Sequence, residues 1–235
     1  MPPRVRSVFA CFQRLARFSP SVLLGLSVLL WSTTFAMGTR PVLAALRVDE
    51  EAPHASLWRR LYAEMPGCWK TPRLVVLREL SDADMDRLIA RKQQGAGDAR
   101  EDDSVIDGCY ENGGQQEDDS ATITLRDTLS GEEAVLVFTH EYGHHVWDEI
   151  LTNGERARYE RLWRQQKRAH RLVTEYAGDS EEEGFAEAFA YYLRRPTRLR
   201  QRDPASWQFL NDIAARVQSH SDSADENSLE IEGER

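Results

Sequence analysis

The chain has 235 residues, 30 of them Lys or Arg and 39 Asp or Glu, for a net charge of −9. A protein this acidic is a poor match for a polyanion, so nucleic acid is not expected as a partner. No internal repeat appears, and the roughly 165 residues between an N-terminal leader and a polar tail suffice for one domain with an adequate core.

Arg4, Arg6, Arg14 and Arg17 precede an apolar run from Val22 to Met37, and Thr34-Phe35-Ala36 supplies a small-residue cleavage site. Residues 1–36 are therefore expected to be a signal peptide, or an N-terminal anchor if uncut. The run is a little short to span a bilayer. Cys11 precedes it and no cysteine follows closely, which argues against a lipoprotein. Cleavage would remove four arginines and no acid, taking the net charge from −9 to −13. The expectation is a periplasmic or secreted protein with no membrane contact beyond its leader, or a tethered one if the leader stays. In an oxidising compartment Cys68 and Cys109, both in turn-like settings, are expected to pair. That disulfide would close a loop of about forty residues and stabilise by roughly 3–4 kcal/mol. Two buried free thiols are the alternative. No C-x-x-C is present, so zinc ligation through sulfur is not supported.

The folded domain is expected over residues 50–218. Residues 54–64 read as a helix and Arg73 to Leu80 as a strand, after which Ser81 caps a helix to about Gln93. Residues 95–104 read as a loop, Val105 to Tyr110 as a short strand, and Glu111 to Ser120 as a very polar turn. Ala121 to Leu125 alternates as a strand does. It lies just before the next helix, where a sheet edge could pair with an extended peptide backbone.

That next helix, 131–152, opens with an S-x-x-E capping box, Ser130 and Glu133, ahead of the apolar run Ala134 to Phe138. Val146, Trp147, Ile150 and Leu151 continue the apolar side, and Asn153-Gly154 ends it. Its middle reads His140-Glu141-Tyr142-Gly143-His144, the H-E-x-x-H pattern of zinc peptidases. Two imidazoles four residues apart share one helical face and can reach a single metal ion, while Glu141 projects toward a metal-bound water. Burying this group with no metal or hydrogen-bonding partner would be costly. His145, turned about one-quarter of the circumference from His144, reads as a bystander. His54, His170 and His220 lack ligand spacing and read as surface residues.

A catalytic zinc takes three protein ligands and keeps one position open. Candidates for the third cluster between residues 175 and 187, beyond a helix at 155–172. Asp179 or Ser180 can cap a helix that ends at Arg195, before Pro196. Glu183 and Glu187 sit four apart on one face of it, with Phe185, Ala186, Phe189 and Ala190 as buried packing. One carboxylate would bind metal and the other would orient a ligand imidazole; spacing does not choose between them. Arg156 to Arg171 is a basic stretch, and Arg194, Arg195, Arg198, Arg200 and Arg202 form a second cluster. Both read as solvated faces or as contacts for an acidic peptide or partner. Asp203-Pro204 opens a last helix to about residue 218. The acidic tail 219–235 has little to bury and is expected to be disordered. No G-x-S-x-G elbow appears, so nucleophilic catalysis is a poor competitor.

The pair H-E-[YF]-G-H and Y-x(6)-E-x-F-A-E-A-F, here His140 to His144 and Tyr176 to Phe189, resembles the catalytic domain of anthrax lethal factor and its secreted bacterial relatives. The likeness covers roughly residues 120–215, and Trp207 to Asp212 resembles the family's closing helix. It implies Glu183 as the third zinc ligand, Tyr176 facing the site, and Glu187 behind the ligands. Asp148, four residues after His144, fits the family's acidic residue there. Together these readings predict an α+β fold of zincin-like metallopeptidase type, a small mixed sheet packed on an active-site helix with a mostly helical C-terminal half. One Zn2+ per chain would sit on His140, His144 and Glu183. Glu141 would act as general base and Tyr176 as oxyanion donor in hydrolysis of a peptide or protein. The rival readings are a non-catalytic zinc-binding interaction module and a hydrolase of cell-wall peptides.

Overall fold

The computed structural model describes residues 46–96, 106–113 and 120–232. The leader expected at 1–36 and most of the loop expected at 95–104 lie outside these residues. Strands β1 (Leu46–Val48), β2 (Val75–Leu80), β3 (Gly108–Glu111) and β4 (Ala121–Arg126) form one sheet in the order β1-β2-β4-β3. The first three neighbours run parallel, and β3 lies antiparallel to β4. Seven helices are described: α1 (Ala55–Ala63), α2 (Asp82–Ala96), α3 (Gly131–Glu149), α4 (Asn153–Arg168), α5 (Glu181–Arg194), α6 (Pro196–Arg202) and α7 (Pro204–Glu232). Single 3-10 turns occupy Gly67–Trp69 and Tyr176–Gly178. The fold is mixed α+β and mostly helical.

Every residue of β4 is buried, because the sheet is covered on both faces. On one face Leu77, Tyr110, Ile123 and Leu125 join Trp58, Phe138, Tyr142, Phe185 and Phe189 in the main core. On the other, Met85, Leu88 and Ile89 of α2 close over Ile106 and Cys109. β4 is therefore central, not the edge strand expected from its place in the sequence. β3 folds back antiparallel onto it and takes the edge.

The expected Cys68–Cys109 disulfide is absent; both thiols are free. The reason is the strand's two-residue period. Tyr110 turns into the main core, so Cys109 turns to the α2 side, while Cys68 packs against the main core. Burial pushes the Cys109 thiol up to about 12, and Lys92 Nζ lies 2.7 Å from its sulfur.

Helix caps also fall differently. Ser130 occupies the N-cap of α3 without a side-chain hydrogen bond. A capping box instead opens α4, where Thr152 Oγ1 accepts from Glu155 N and the Glu155 carboxylate accepts from Thr152 N. Ser180 caps α5 by accepting from Glu183 N. The last helix runs to Glu232, so the backbone of 219–232 is helical where disorder was expected. No Gly or Pro interrupts Ala205 to Glu232, and strong helix formers recur along it. Among the described residues, no helix is long and apolar enough to cross a membrane.

Candidate metal centre

Helices α3 and α5 cross in backbone contact. A Cβ on Gly143 would lie 2.9 Å from Ala186 Cα and 3.2 Å from Ala186 O, so only glycine admits this approach. The crossing turns His140 and His144, one turn apart on α3, toward Glu183 and Glu187, one turn apart on α5. All but Glu187 are buried, and Glu187 is half-buried.

The three inward atoms form a small triangle. His140 Nε2 lies 3.1 Å from Glu183 Oε2, His144 Nε2 lies 3.2 Å from His140 Nε2, and His144 Nε2 lies 3.5 Å from Glu183 Oε2. Donors held about 2.0–2.1 Å from a tetrahedral zinc are about 3.3 Å apart, so the triangle has the dimensions of one tetrahedral face. The hydrogen-bond bookkeeping points the same way. Glu187 Oε1 lies 3.1 Å from His140 Nδ1 and, as a carboxylate, only accepts. The proton of a neutral His140 therefore sits on Nδ1, which leaves Nε2 as a bare acceptor facing a carboxylate and a second imidazole. A cation between that nitrogen, the Glu183 oxygen and the His144 Nε2 would satisfy all three at once. Glu183 Oε1 is buried and has no hydrogen-bond partner, a further sign of an acceptor cluster built for a positive charge.

Without a metal, that cation is a proton. Burial opposes the His140 imidazolium, but hydrogen bonds to Glu183 and Glu187 outweigh it and hold the imidazole well above its usual range. Burial likewise opposes the Glu183 carboxylate, yet the charge of His144 and the hydrogen bonds from both histidines bring its pKa down to about 2. The glutamate thus stays ionised, as a metal ligand must.

The support around the triangle comes from several segments. Thr174 Oγ1 donates to Glu187 Oε2 at 2.7 Å and accepts from Ala177 N at 3.0 Å. One hydroxyl therefore fixes both the carboxylate behind His140 and the turn that carries Tyr176. Trp163 of α4 donates its indole N–H to Ala177 O at 2.8 Å and pins the same turn. The Tyr176 ring lies 5.6 Å from the His140 ring. Glu141 is buried and packs on β3, where Gly108 leaves room for its carboxylate.

Asp148 accepts from Asn112 Nδ2 at 2.6 Å and from the Tyr110 hydroxyl, and burial raises its pKa against the lowering effect of the Asn112 hydrogen bond and the Arg156 charge. The Tyr110 ring stacks on His144 at 6.3 Å and 16°. His145 is no bystander. It is buried between Thr71 Oγ1 at 2.7 Å and the Tyr110 hydroxyl at 3.4 Å, and burial together with Arg73 drops it to about 3, so it stays neutral. His54 also has a partner, since its Nδ1 lies 2.7 Å from a fully buried Glu79 carboxylate. His170 and His220 are exposed.

Gly108, Tyr110, Asn112 and Thr174 carry no mark in the sequence as parts of this site. A Thr two residues before Tyr176 is a turn cue at most. The rest depend on where β3 lands in the sheet.

Two histidines and a glutamate buried where two helices cross make a group that can hold a metal ion, in a mixed α+β domain. The family described as anthrax toxin lethal factor, N- and C-terminal domain, matches residues 86–213, more than half of the chain, and the chain belongs to that family. No curated protein matches it.

Proposed function

We propose that this protein is an exported, zinc-dependent endopeptidase of zincin type. The observation that carries the reading is the acceptor triangle of His140, His144 and Glu183 with Glu141 on the same helix beside it. Two imidazoles and one carboxylate are a donor set that suits a catalytic zinc with an open position. When bound, zinc supplies Lewis acidity toward a carbonyl and lowers the pKa of water to near neutrality.

The chain's own groups do the rest. Glu141 takes a proton from the attacking water and returns it to the leaving amine, a role worth about 10²–10⁴-fold in rate. The Tyr176 hydroxyl donates to the carbonyl oxygen as negative charge builds there. Glu187, itself held by Thr174, keeps the His140 proton on Nδ1 and its Nε2 turned inward. Edge strand β3 offers backbone pairing to an extended substrate beside Glu141. A zinc-binding module without catalysis would need neither Glu141 nor Tyr176. Export rests on the Arg-rich, apolar leader alone.

The test is zinc stoichiometry and hydrolysis of an unfolded protein, for wild type and Glu141→Gln side by side. One zinc per chain in both, with hydrolysis falling about 10²–10⁴-fold in the variant, is expected. Activity retained by Glu141→Gln would remove the general base, and a folded wild type that takes up no added zinc would remove the reading altogether.

A further inference from the structure

Helix α2 carries Met85, Leu88, Ile89 and Lys92 at the i, i+3, i+4, i+7 spacing of a stripe turned to the core. The first three close over Ile106 and Cys109 on that face of the sheet. The fourth place in the stripe holds a lysine, whose Nζ lies 2.7 Å from Cys109 Sγ. Glu111, two residues along β3 and on the same side as Cys109, meets the same Nζ at 3.1 Å. Burial opposes the Lys92 ammonium, and the sulfur and the carboxylate outweigh it.

The nitrogen and sulfur stand unusually close. An N–H donor lies about 2.9–3.0 Å from an oxygen acceptor, and farther from sulfur because sulfur is the larger atom. At 2.7 Å the pair is tighter than a hydrogen bond sets it, and well beyond the length of a direct nitrogen–sulfur bond. Two single bonds meeting at one bent oxygen span such a gap. The surroundings favour that outcome over ordinary thiol oxidation. Cys109 is 1% exposed among apolar side chains, where the charged oxygens of a sulfinate or sulfonate would be costly. Lys92 keeps 25% of its side chain exposed, so a small oxidant can approach from the lysine side. Cys68 packs against the main core, away from Cys109, and offers no resolving thiol.

We infer that Lys92 and Cys109 are a covalent modification site, joined through one oxygen as an Nζ–O–Sγ bridge when the protein meets hydrogen peroxide. The first peroxide converts the thiol RSH to a sulfenic acid RSOH and leaves one water. In the second step the sulfenic oxygen bonds to Nζ. RSOH, R′NH3+ and H2O2 then give RS–O–NHR′, two waters and a proton, which the Glu111 carboxylate is placed to take. Sulfur and nitrogen each give up two electrons, and the two peroxides accept the four. Two equivalents of a dithiol return them and restore thiol, amine and one water. Burial keeps the thiol protonated, so the first step is slow. The residues are 17 apart in sequence, and the bridge pins edge strand β3 to α2.

The test is mass spectrometry of the full chain with Cys11→Ala and Cys68→Ala, which leaves Cys109 as its one thiol, before and after prolonged exposure to dilute hydrogen peroxide. Expected are an intact-mass gain of one oxygen less two hydrogens and, after digestion, a cross-linked pair of peptides holding Lys92 and Cys109. The thiol should be lost to maleimide even in denaturant, and dithiothreitol should reverse every change. Tm should rise by about 5–10 °C, the scale of closing a loop of this length. Lys92→Arg keeps the positive charge and should give no cross-link, with circular dichroism confirming its fold. Whole-oxygen gains at Cys109 without a cross-linked pair, loss of two hydrogens alone, a cross-link that survives Lys92→Arg, or a thiol that stays reactive throughout would each overturn the bridge. It needs neither metal nor hydrolysis, so none of these outcomes bears on the peptidase reading.

Discussion

Gly108 of edge strand β3 leaves to the Glu141 carboxylate of α3 the space that a side chain would fill. A Cβ at position 108 would fall 2.6 Å from Glu141 Oε1 and 2.8 Å from its Cγ. Gly108→Ala should therefore push the carboxylate off its position and leave the histidines alone. We expect zinc stoichiometry to stay at one per chain while kcat/KM falls about a hundred-fold, the scale of a misplacement near 1 Å. Steady-state kinetics with metal analysis decides it; full activity would show that Glu141 is free to move.

Tyr176 offers a cleaner deletion, because its ring packs beside His140 and phenylalanine preserves that packing. Tyr176→Phe should lower kcat by about 10²–10³ with little change in metal content, as for loss of an oxyanion donor. An unchanged kcat would make it a packing residue.

Glu187 and Thr174 form a chain of two hydrogen bonds ending on His140 Nδ1. Glu187→Gln should weaken zinc about 10–100-fold, since such partners orient the ligand and raise its basicity. Thr174→Val should weaken it less and also loosen the turn at Ala177. Competition with a chromophoric chelator orders the two; a stronger effect from Thr174→Val would place the main constraint in the turn.

Asp107 gives a pH signature away from the metal. Burial, together with the negative charge of Glu133, raises its carboxyl from 3.8 to about 6 despite Arg126 at 3.6 Å. The folded chain then holds more protons here than the unfolded one between about pH 4 and 6, so this group's contribution to stability falls as pH rises through that window. Asp107→Asn should be neutral at pH 4 and stabilise by about 1–2 kcal/mol at pH 7–8, after discounting for its partial exposure. Thermal melts at both pH values test the sign, and an equal effect at the two would refute it.

Removing the metal should leave the fold standing. The triangle is carried by helices whose packing is apolar and glycine-dependent, so a chelator should lower Tm without unfolding the domain, in contrast to a zinc finger. Returning zinc at a thousand times its Kd should add about 4 kcal/mol. Affinity should fall on acidification, because the ion competes with a second proton for His140 Nε2.

Much of this was legible in local sequence. The helices carrying His140 with His144 and Glu183 with Glu187 announce themselves through the 3.6-residue period and the spacing of their polar residues. What local pattern does not contain is strand order. Ala121 to Leu125 alternates whether it lies at the edge or in the middle, and only β3 folding onto it decides. The same pairing sends Cys109 away from Cys68 and brings Gly108, Tyr110 and Asn112 to α3. His145 looked idle because its partners, Thr71 and Tyr110, lie 74 and 35 residues upstream.

The contact of Gly143 with Ala186 bears on how such a protein could change over evolutionary time. Because glycine and alanine hold the helices together there, the ligands and Glu141 can be exchanged without dismantling the scaffold beneath them. On the proposed reading, a duplicated copy that lost Glu141 would keep its shape, its metal-binding group and its surface while losing hydrolysis. A copy that lost Gly143 would lose all of them together. Position 143 is therefore the better marker of descent in this fold, and position 141 the better marker of whether a descendant retains the proposed hydrolysis.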